Sequence, residues 1–301
     1  MASTETTVER AAAGAHPLPP TGERLLTDAW DDTTLEHLHR YGVALDFCRG
    51  RRVLDIASGE GYGSNLLAGV AEGVTGVDIS EEAVAHARAK YRRPNLEYLR
   101  GSADDIPLAA AAVDTVVSFE TIEHHDRHAE MMAEFRRVLR PGGVLVISSP
   151  DKLHCSDLTG MNNPFHVKEL YREEFHALVR DHFRHVEPLS QRIVYGSLIA
   201  PEGGARDFRE YEGGFEEVRA SGQLRGPIYN LCVASDAPLA PLPVSFYGGW
   251  RVFEAAVKAA HLSATEAQRR HQEREVRALL DSPTFKLGRA LTWPLRKIMG
   301  R

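Results

Sequence analysis

Val53-Leu54-Asp55-Ile56-Ala57-Ser58-Gly59-Glu60-Gly61-Tyr62-Gly63 is the stretch that decides how this chain folds. Val53, Leu54 and Ile56 form a short apolar run of the kind that becomes a buried strand. Three glycines at alternate positions then break the run, and Leu66, Leu67 and Val70 recur beyond them at helical spacing. A strand, a glycine turn and a helix open a nucleotide-binding βαβ unit. Glycine suits such a turn because the backbone must bend tightly and admit a ligand with no Cβ in the way.

The spacing and the charges say which ligand. A dinucleotide site reads G-x-G-x-x-G and seats pyrophosphate on the helix N-terminus. Here the pattern is G-x-G-x-G, with Asp55 before the loop and Glu60 inside it. Those carboxylates repel pyrophosphate and suit the ammonium and sulfonium groups of S-adenosylmethionine. Val74 to Ile79 reads as a second strand ending in Asp78, an acid able to accept hydrogen bonds from ribose hydroxyls. Asp104 and Asp105 follow the third strand, and Glu120 ends the fourth, Val113 to Phe119. The C-terminal ends of parallel strands converge on one crevice. Acids from four strand ends, with no Lys or Arg in those loops, are expected to make it acidic.

With these motifs in place, residues 35 to 236 resemble the class I S-adenosylmethionine-dependent methyltransferases. Arg137 to Ile147, with Pro141-Gly142-Gly143 at its centre, looks like that family's helix, turn and fifth strand. The resemblance implies an α/β, Rossmann-like class I methyltransferase fold. Its sheet is expected to be mostly parallel and seven-stranded, with an antiparallel last strand. It implies S-adenosyl-L-methionine as cofactor, bound through Asp55, Gly59, Glu60, Gly61, Gly63, Asp78, Ile79, Asp104, Asp105 and Glu120. A helix carrying His37, His39, Arg40 and Tyr41 precedes the first strand, and in the family such a helix closes over the methionine end of the cofactor. That gives Arg40 or Tyr41 a reading as its carboxylate contact, against a reading as solvated surface.

Composition sets the bounds. With 301 residues and 43% hydrophobic content, the chain can build one large domain plus appendages. A net charge of −6 argues against a nucleic-acid partner. Cys48, Cys155 and Cys232 are few, odd in number and widely spaced, which points to free thiols in the cytoplasm. Residues 1–20 read as a disordered leader and 21–236 as the methyltransferase domain. Within it, helices are expected over Arg127 to Leu139 and Val167 to Arg180. The sixth strand is expected near Gln191 to Val194 and the last over Ile228 to Ala234. The polar, glycine-rich stretch 195–226 between them is assigned to a substrate lid, against a reading as a plain surface loop. Residues 237–301 form the C-terminal extension: a proline-rich linker, a helix of about 30 residues, and a tail in which Lys286, Arg289, Arg296, Lys297 and Arg301 alternate with apolar side chains. Such a tail suits peripheral contact with the inner, anionic face of a membrane. The alternative is that it packs on the domain or on a second subunit of a homo-oligomer.

Chemistry-bearing residues follow the fourth and fifth strands: Glu120-Thr121-Ile122-Glu123-His124-His125 and Asn162-Asn163-Pro164-Phe165-His166. In the first reading His166 or His124, with Glu123 nearby, is a general base for an acceptor hydroxyl. In the second, Glu120, Glu123, His124 and His166 hold a divalent metal, magnesium or manganese. That E-x-x-E-H arrangement resembles sites in small-RNA terminal ribose methyltransferases and ubiquinone-pathway O-methyltransferases. In the third, Glu120 contacts the cofactor and His124 caps a helix. Softer motifs resemble the methyltransferases of bacterial glycan and glycosylated natural-product pathways. They make a sugar hydroxyl on a glycan or glycosylated small molecule the preferred acceptor, with a quinone or phenolic small molecule second. A non-catalytic scaffold is the reading from a different class, disfavoured by intact cofactor motifs.

Overall fold

The computed structural model describes residues 25–27, 31–194, 196–202, 210–213, 218–224, 226–284 and 286–287. The expected leader and nearly all of the basic tail therefore lie outside the described residues. The chain divides into two compact units between Gly249 and Trp250.

The first unit begins with α1 (Asp32–Cys48), which Asp31 starts by accepting a hydrogen bond from the Thr34 amide at 2.9 Å. Then come β1 (Arg52–Ile56), α2 (Tyr62–Leu67), β2 (Gly73–Asp78), α3 (Glu81–Lys90) and β3 (Leu96–Arg100). Ser80 caps α3 through the Ala83 amide, with Glu81 and Glu82 in the first turn. β4 (Val113–Ser118), α4 (His128–Val138) and β5 (Leu139–Pro150) complete the half that carries the glycine loop. α5 (Arg172–His182), β6 (His185–Val194), β7 (Gly196–Pro201), β8 (Glu210–Gly213), β9 (Val218–Ser221), β10 (Tyr229–Ser235) and β11 (Ser245–Tyr247) follow.

Nine of these strands form one sheet in the order β11-β7-β6-β10-β5-β4-β1-β2-β3. β3, β2, β1, β4 and β5 are parallel, and β10 enters antiparallel to β5 and β6. Alternation along the strands sorts side chains onto two faces. Leu54, Ile56, Val116, Leu145 and Ile147 join Met131, Met132 and Phe135 of α4 and Phe175 and Val179 of α5. Val53, Val117, Val144, Val146, Leu231 and Val233 join Tyr41, Ala44 and Cys48 of α1 and Leu67 of α2. The result is a sheet buried between two helical layers, and the near-continuous apolar strands follow from that double burial.

The expected seven strands become nine. The two additions are β7, from the stretch read as a lid, and β11, beyond the proline-rich linker; β7 pairs antiparallel with both β6 and β11. A polar, glycine-containing segment can still serve as an edge strand when alternate residues face inward, as Ser197 and Ile199 do. β8 and β9 form a separate hairpin. The helix expected from Val167 starts only at Arg172, because residues 167–171 are drawn onto other elements, with buried Leu170 accepting the Lys152 amide through its carbonyl. β6 runs from His185 to Val194, through the stretch expected for the sixth strand.

The second unit contains α6 (Trp250–Asp281), a 32-residue helix with mostly exposed described side chains. Among the described residues no helix is long and apolar enough to cross a membrane.

Candidate active site

The glycine loop is held from beneath by its own strands. The Ser58 amide donates to the Val77 carbonyl, and the Gly59 amide donates to Asp78 Oδ2 at 2.8 Å. Asp78 Oδ1 accepts from the Ser80 amide at 2.9 Å. Asp78 thus clamps the loop to the start of α3, leaving one lone pair on each oxygen for a ligand. Gly61 and Gly63 are glycines for packing reasons. A Cβ on Gly61, at φ 97°, would lie 2.7 Å from Ala87 Cβ, and one on Gly63 would lie 2.0 Å from Tyr41 Cζ.

Three crevice acids differ from the acidic surface expected of them. Asp55 is buried beneath the loop, where its carboxylate accepts from Ser64 Oγ at 2.6 Å and from the Tyr41 hydroxyl at 3.2 Å. Burial pushes its carboxyl up to about 7, against the pull of those two donors. Glu60 is ion-paired with Lys90 and accepts from the Tyr91 hydroxyl at 2.6 Å and Thr27 Oγ1 at 3.0 Å. Asp104 accepts from Ser102 and pairs with Arg127 at 2.5 Å; the Ser102 hydrogen bond, then the guanidinium, hold its carboxyl below its ordinary value. Lys90 and Arg127 sit on or beside helices, not in the strand-end loops, so a scan of those loops misses them. Asp105 is exposed. Ile79 is 69% exposed, an apolar surface beside the loop.

A cavity of about 260 Å³ opens at these strand ends, lined by Gly59, Glu60, Tyr41, Tyr62, Phe119 and Glu120 among others. The Tyr41 ring stands edge-on to both Tyr62 and Phe119 at 5.6 and 5.1 Å. Glu120 adopts φ 48°, a left-handed conformation costly for a non-glycine residue, and Ala57 after β1 does the same at φ 58°. Ser148 Oγ donates to Glu120 Oε1 at 2.6 Å. Behind it lies Arg40, wholly buried, which donates to Gln191 at 3.0 Å and stands 3.6 Å from Glu120 Oε1. Arg40 does not line the cavity, whereas Tyr41 does. A carboxylate among aromatic rings, next to glycine-loop backbone, fits a cationic sulfonium nucleotide.

The acid-histidine residues line the same cavity. Ile122–His124 forms a single 3₁₀ turn, and the Glu123 carbonyl accepts the amides of Val167 at 2.8 Å and Lys168 at 3.1 Å. That pair of hydrogen bonds pins the loop after β5 to the loop after β4, and the His124 and His166 rings stand 5.3 Å apart. His166 Nδ1 lies 2.5 Å from Glu169 Oε1, which also accepts from Ser156 Oγ at 2.7 Å. Asn163 Nδ2 lies 2.9 Å from His166 Nε2. With Nδ1–H directed at a carboxylate, Nε2 carries the lone pair. His124 Nδ1 faces the Phe165 carbonyl at 3.2 Å. Glu123, His124 and His166 can bring one ligand atom each within 4.8 Å of one another; Glu120, also expected at a metal, is not in that group. Sequence reading named Asn163 only as part of the Asn162–His166 stretch and missed Glu169. The H-x-x-E spacing from His166 was the available signal, hidden by assigning Glu169 to a helix.

A Rossmann-like sheet with a glycine loop, an acid after β2 and a crevice at the strand ends defines a nucleotide-binding α/β domain. Residues 54–147 match the family described as methyltransferase domain. Over 165 residues the chain is 40% identical to a protein of Mycolicibacterium smegmatis named as a probable S-adenosylmethionine-dependent methyltransferase, covering 54% of this chain and 63% of the relative. It is 38% identical over 164 residues to a protein of Mycobacterium tuberculosis with the same description, covering 54% of this chain and 59% of that protein. Over 121 residues it is 29% identical to the phthiotriol/phenolphthiotriol dimycocerosates methyltransferase of Mycobacterium tuberculosis, covering 38% and 44% of the two chains. The chain therefore spans less than two thirds of each of these relatives.

Proposed function

We propose that the whole chain works as an S-adenosylmethionine-dependent O-methyltransferase, with a sugar hydroxyl of a glycan or glycosylated small molecule as acceptor. The observation that carries this reading is His166, which lines the inner cavity with Nδ1 held by Glu169 and its Nε2 lone pair in reach of a hydrogen-bond partner. S-adenosylmethionine supplies a methyl group already activated by its sulfonium. Glu120, Tyr62 and Phe119, which line the cavity, would receive that cation, and Asp78 would fix the loop beneath it. An acceptor hydroxyl would displace Asn163 at Nε2 and give its proton to that nitrogen, and Glu169 would stabilise the imidazolium that results. Cys155, in the same cavity, is no rival nucleophile, because burial pushes its thiol up to about 11. A quinone or phenolic acceptor is the alternative substrate class. His166→Ala should lower methyl transfer by roughly 10²–10⁴ and leave S-adenosylhomocysteine affinity unchanged; full activity would remove His166 from the mechanism.

A second reading is favoured by the Glu123–His124–His166 cluster, whose geometry would admit a divalent cation on the acceptor oxygen. Loss of activity in EDTA, restored by magnesium or manganese, selects it; indifference selects the base.

A further inference from the structure

His166 and Asn163 line two cavities at once. The inner one, at about 260 Å³, is smaller than the roughly 300–1,000 Å³ of pockets that enclose a single drug-sized ligand, so it cannot hold both a nucleotide cofactor and an acceptor. The outer one measures about 550 Å³ and shares those two residues in its lining. Its charged lining is unevenly committed. Asp157 accepts from the Tyr171 hydroxyl at 2.9 Å, and Glu169 is held by Ser156 and His166. Lys152 lies 4.8 Å over the Tyr171 ring, and neither Lys152 nor Lys168 has a carboxylate at ion-pair distance among the described residues. Both lysines are fixed through their backbones: the Lys152 amide donates to Leu170 and the Lys168 amide to Glu123. Two cations therefore face a cavity whose acids are already engaged. Met161 and Val167, 64% and 62% exposed, line the same space with apolar surface.

We propose that this outer cavity is an acceptor subsite for an anionic group, a carboxylate or a phosphate borne by the hydroxylated acceptor, with Lys152 and Lys168 as its contacts and His166 at the boundary where the reacting hydroxyl sits. As an acceptor site it rests on the methyltransferase reading; as an anion site it does not. The full chain, saturated with S-adenosylhomocysteine, is titrated by calorimetry with glucose 6-phosphate, glucuronate and glucose. At least one of the two anions should bind about tenfold or more tightly than glucose, and which one does so separates phosphate from carboxylate. The Lys152→Gln/Lys168→Gln variant should erase that preference, and Lys168→Gln alone, at an exposed position, should weaken it without changing the melting temperature. Equal binding of anions and glucose, no binding of either anion, or a preference that survives the lysine changes overturns the subsite while S-adenosylhomocysteine binding stands. A protein that ignores S-adenosylhomocysteine and still shows lysine-dependent anion binding upholds the anion site and overturns the cofactor reading instead.

Discussion

Glu169 Oε1 stands 2.5 Å from His166 Nδ1, three residues away in sequence and on a segment that is neither helix nor strand. The contact fixes the imidazole tautomer and points Nε2 toward Asn163 and the cavities. A carboxylate that also accepts from Ser156 is itself held in place, so the ring has little freedom to turn. His166 is thus oriented by the loop after β5, and that loop by the Glu123 carbonyl.

Glu169→Gln should keep the hydrogen-bonded geometry and remove the charge that stabilises an imidazolium. Turnover should fall by about 10–100-fold, the usual cost of losing a histidine's orienting partner. Steady-state kinetics checks this, and full turnover in the variant would make Glu169 a structural residue only.

Asp78→Ala removes the acceptor of both the Gly59 and the Ser80 amides. Affinity for S-adenosylhomocysteine should weaken by about 1–3 kcal/mol, the range for losing hydrogen bonds to a charged group. Calorimetry decides this, and unchanged affinity would show that the loop keeps its shape without the clamp.

Gly63→Ala places a methyl group where the Tyr41 ring lies. The ring would have to move, breaking its contact with Asp55, at a cost of about 1–3 kcal/mol in unfolding free energy. Combining it with Tyr41→Leu should cost less than the sum of the two changes, since one substitution makes room for the other. Strict additivity in denaturant melts would contradict the packing account.

Glu36 is buried beside Arg40 and accepts from the Tyr229 hydroxyl at 2.7 Å. Burial raises its carboxyl from 4.5 to about 7, with Arg40 and then Tyr229 opposing the rise. The folded state therefore holds a proton that the unfolded state has released, and this contribution is lost as pH rises from about 4.5 through about 7. Glu36→Gln, which needs no proton, should gain stability relative to the parent across that window, on the order of 1–3 kcal/mol. A difference that stays flat with pH would show that Glu36 ionises normally.

The fold was legible because its signals are local. The near-continuous apolar runs in Val53 to Ile56, Val113 to Ser118 and Val144 to Ile147 mark strands buried on both faces. The glycine loop and the Ser80 cap are set by neighbours a few residues away, and the positions of Asp78 and Glu120 follow once each strand is recognised. Strand number was not legible, since whether 196–201 becomes an edge strand depends on β6 and β11 offering it hydrogen bonds.

Charge at the site lay beyond sequence for the same reason. Sequence alone determined that carboxylates gather at the strand ends. Only tertiary structure decided that Lys90 neutralises Glu60, that Arg127 pairs with Asp104 and that Asp55 lies beneath the loop. It also decided that Glu123 ties two loops together through its backbone carbonyl, bringing His124 to His166 and His166 to both cavities. Ionic and hydrogen-bond partners are chosen by distance in space, and Coulomb energy at about 3 Å depends on the burial of both partners. A chain read in order supplies the identity of the charges but neither their separation nor the dielectric between them.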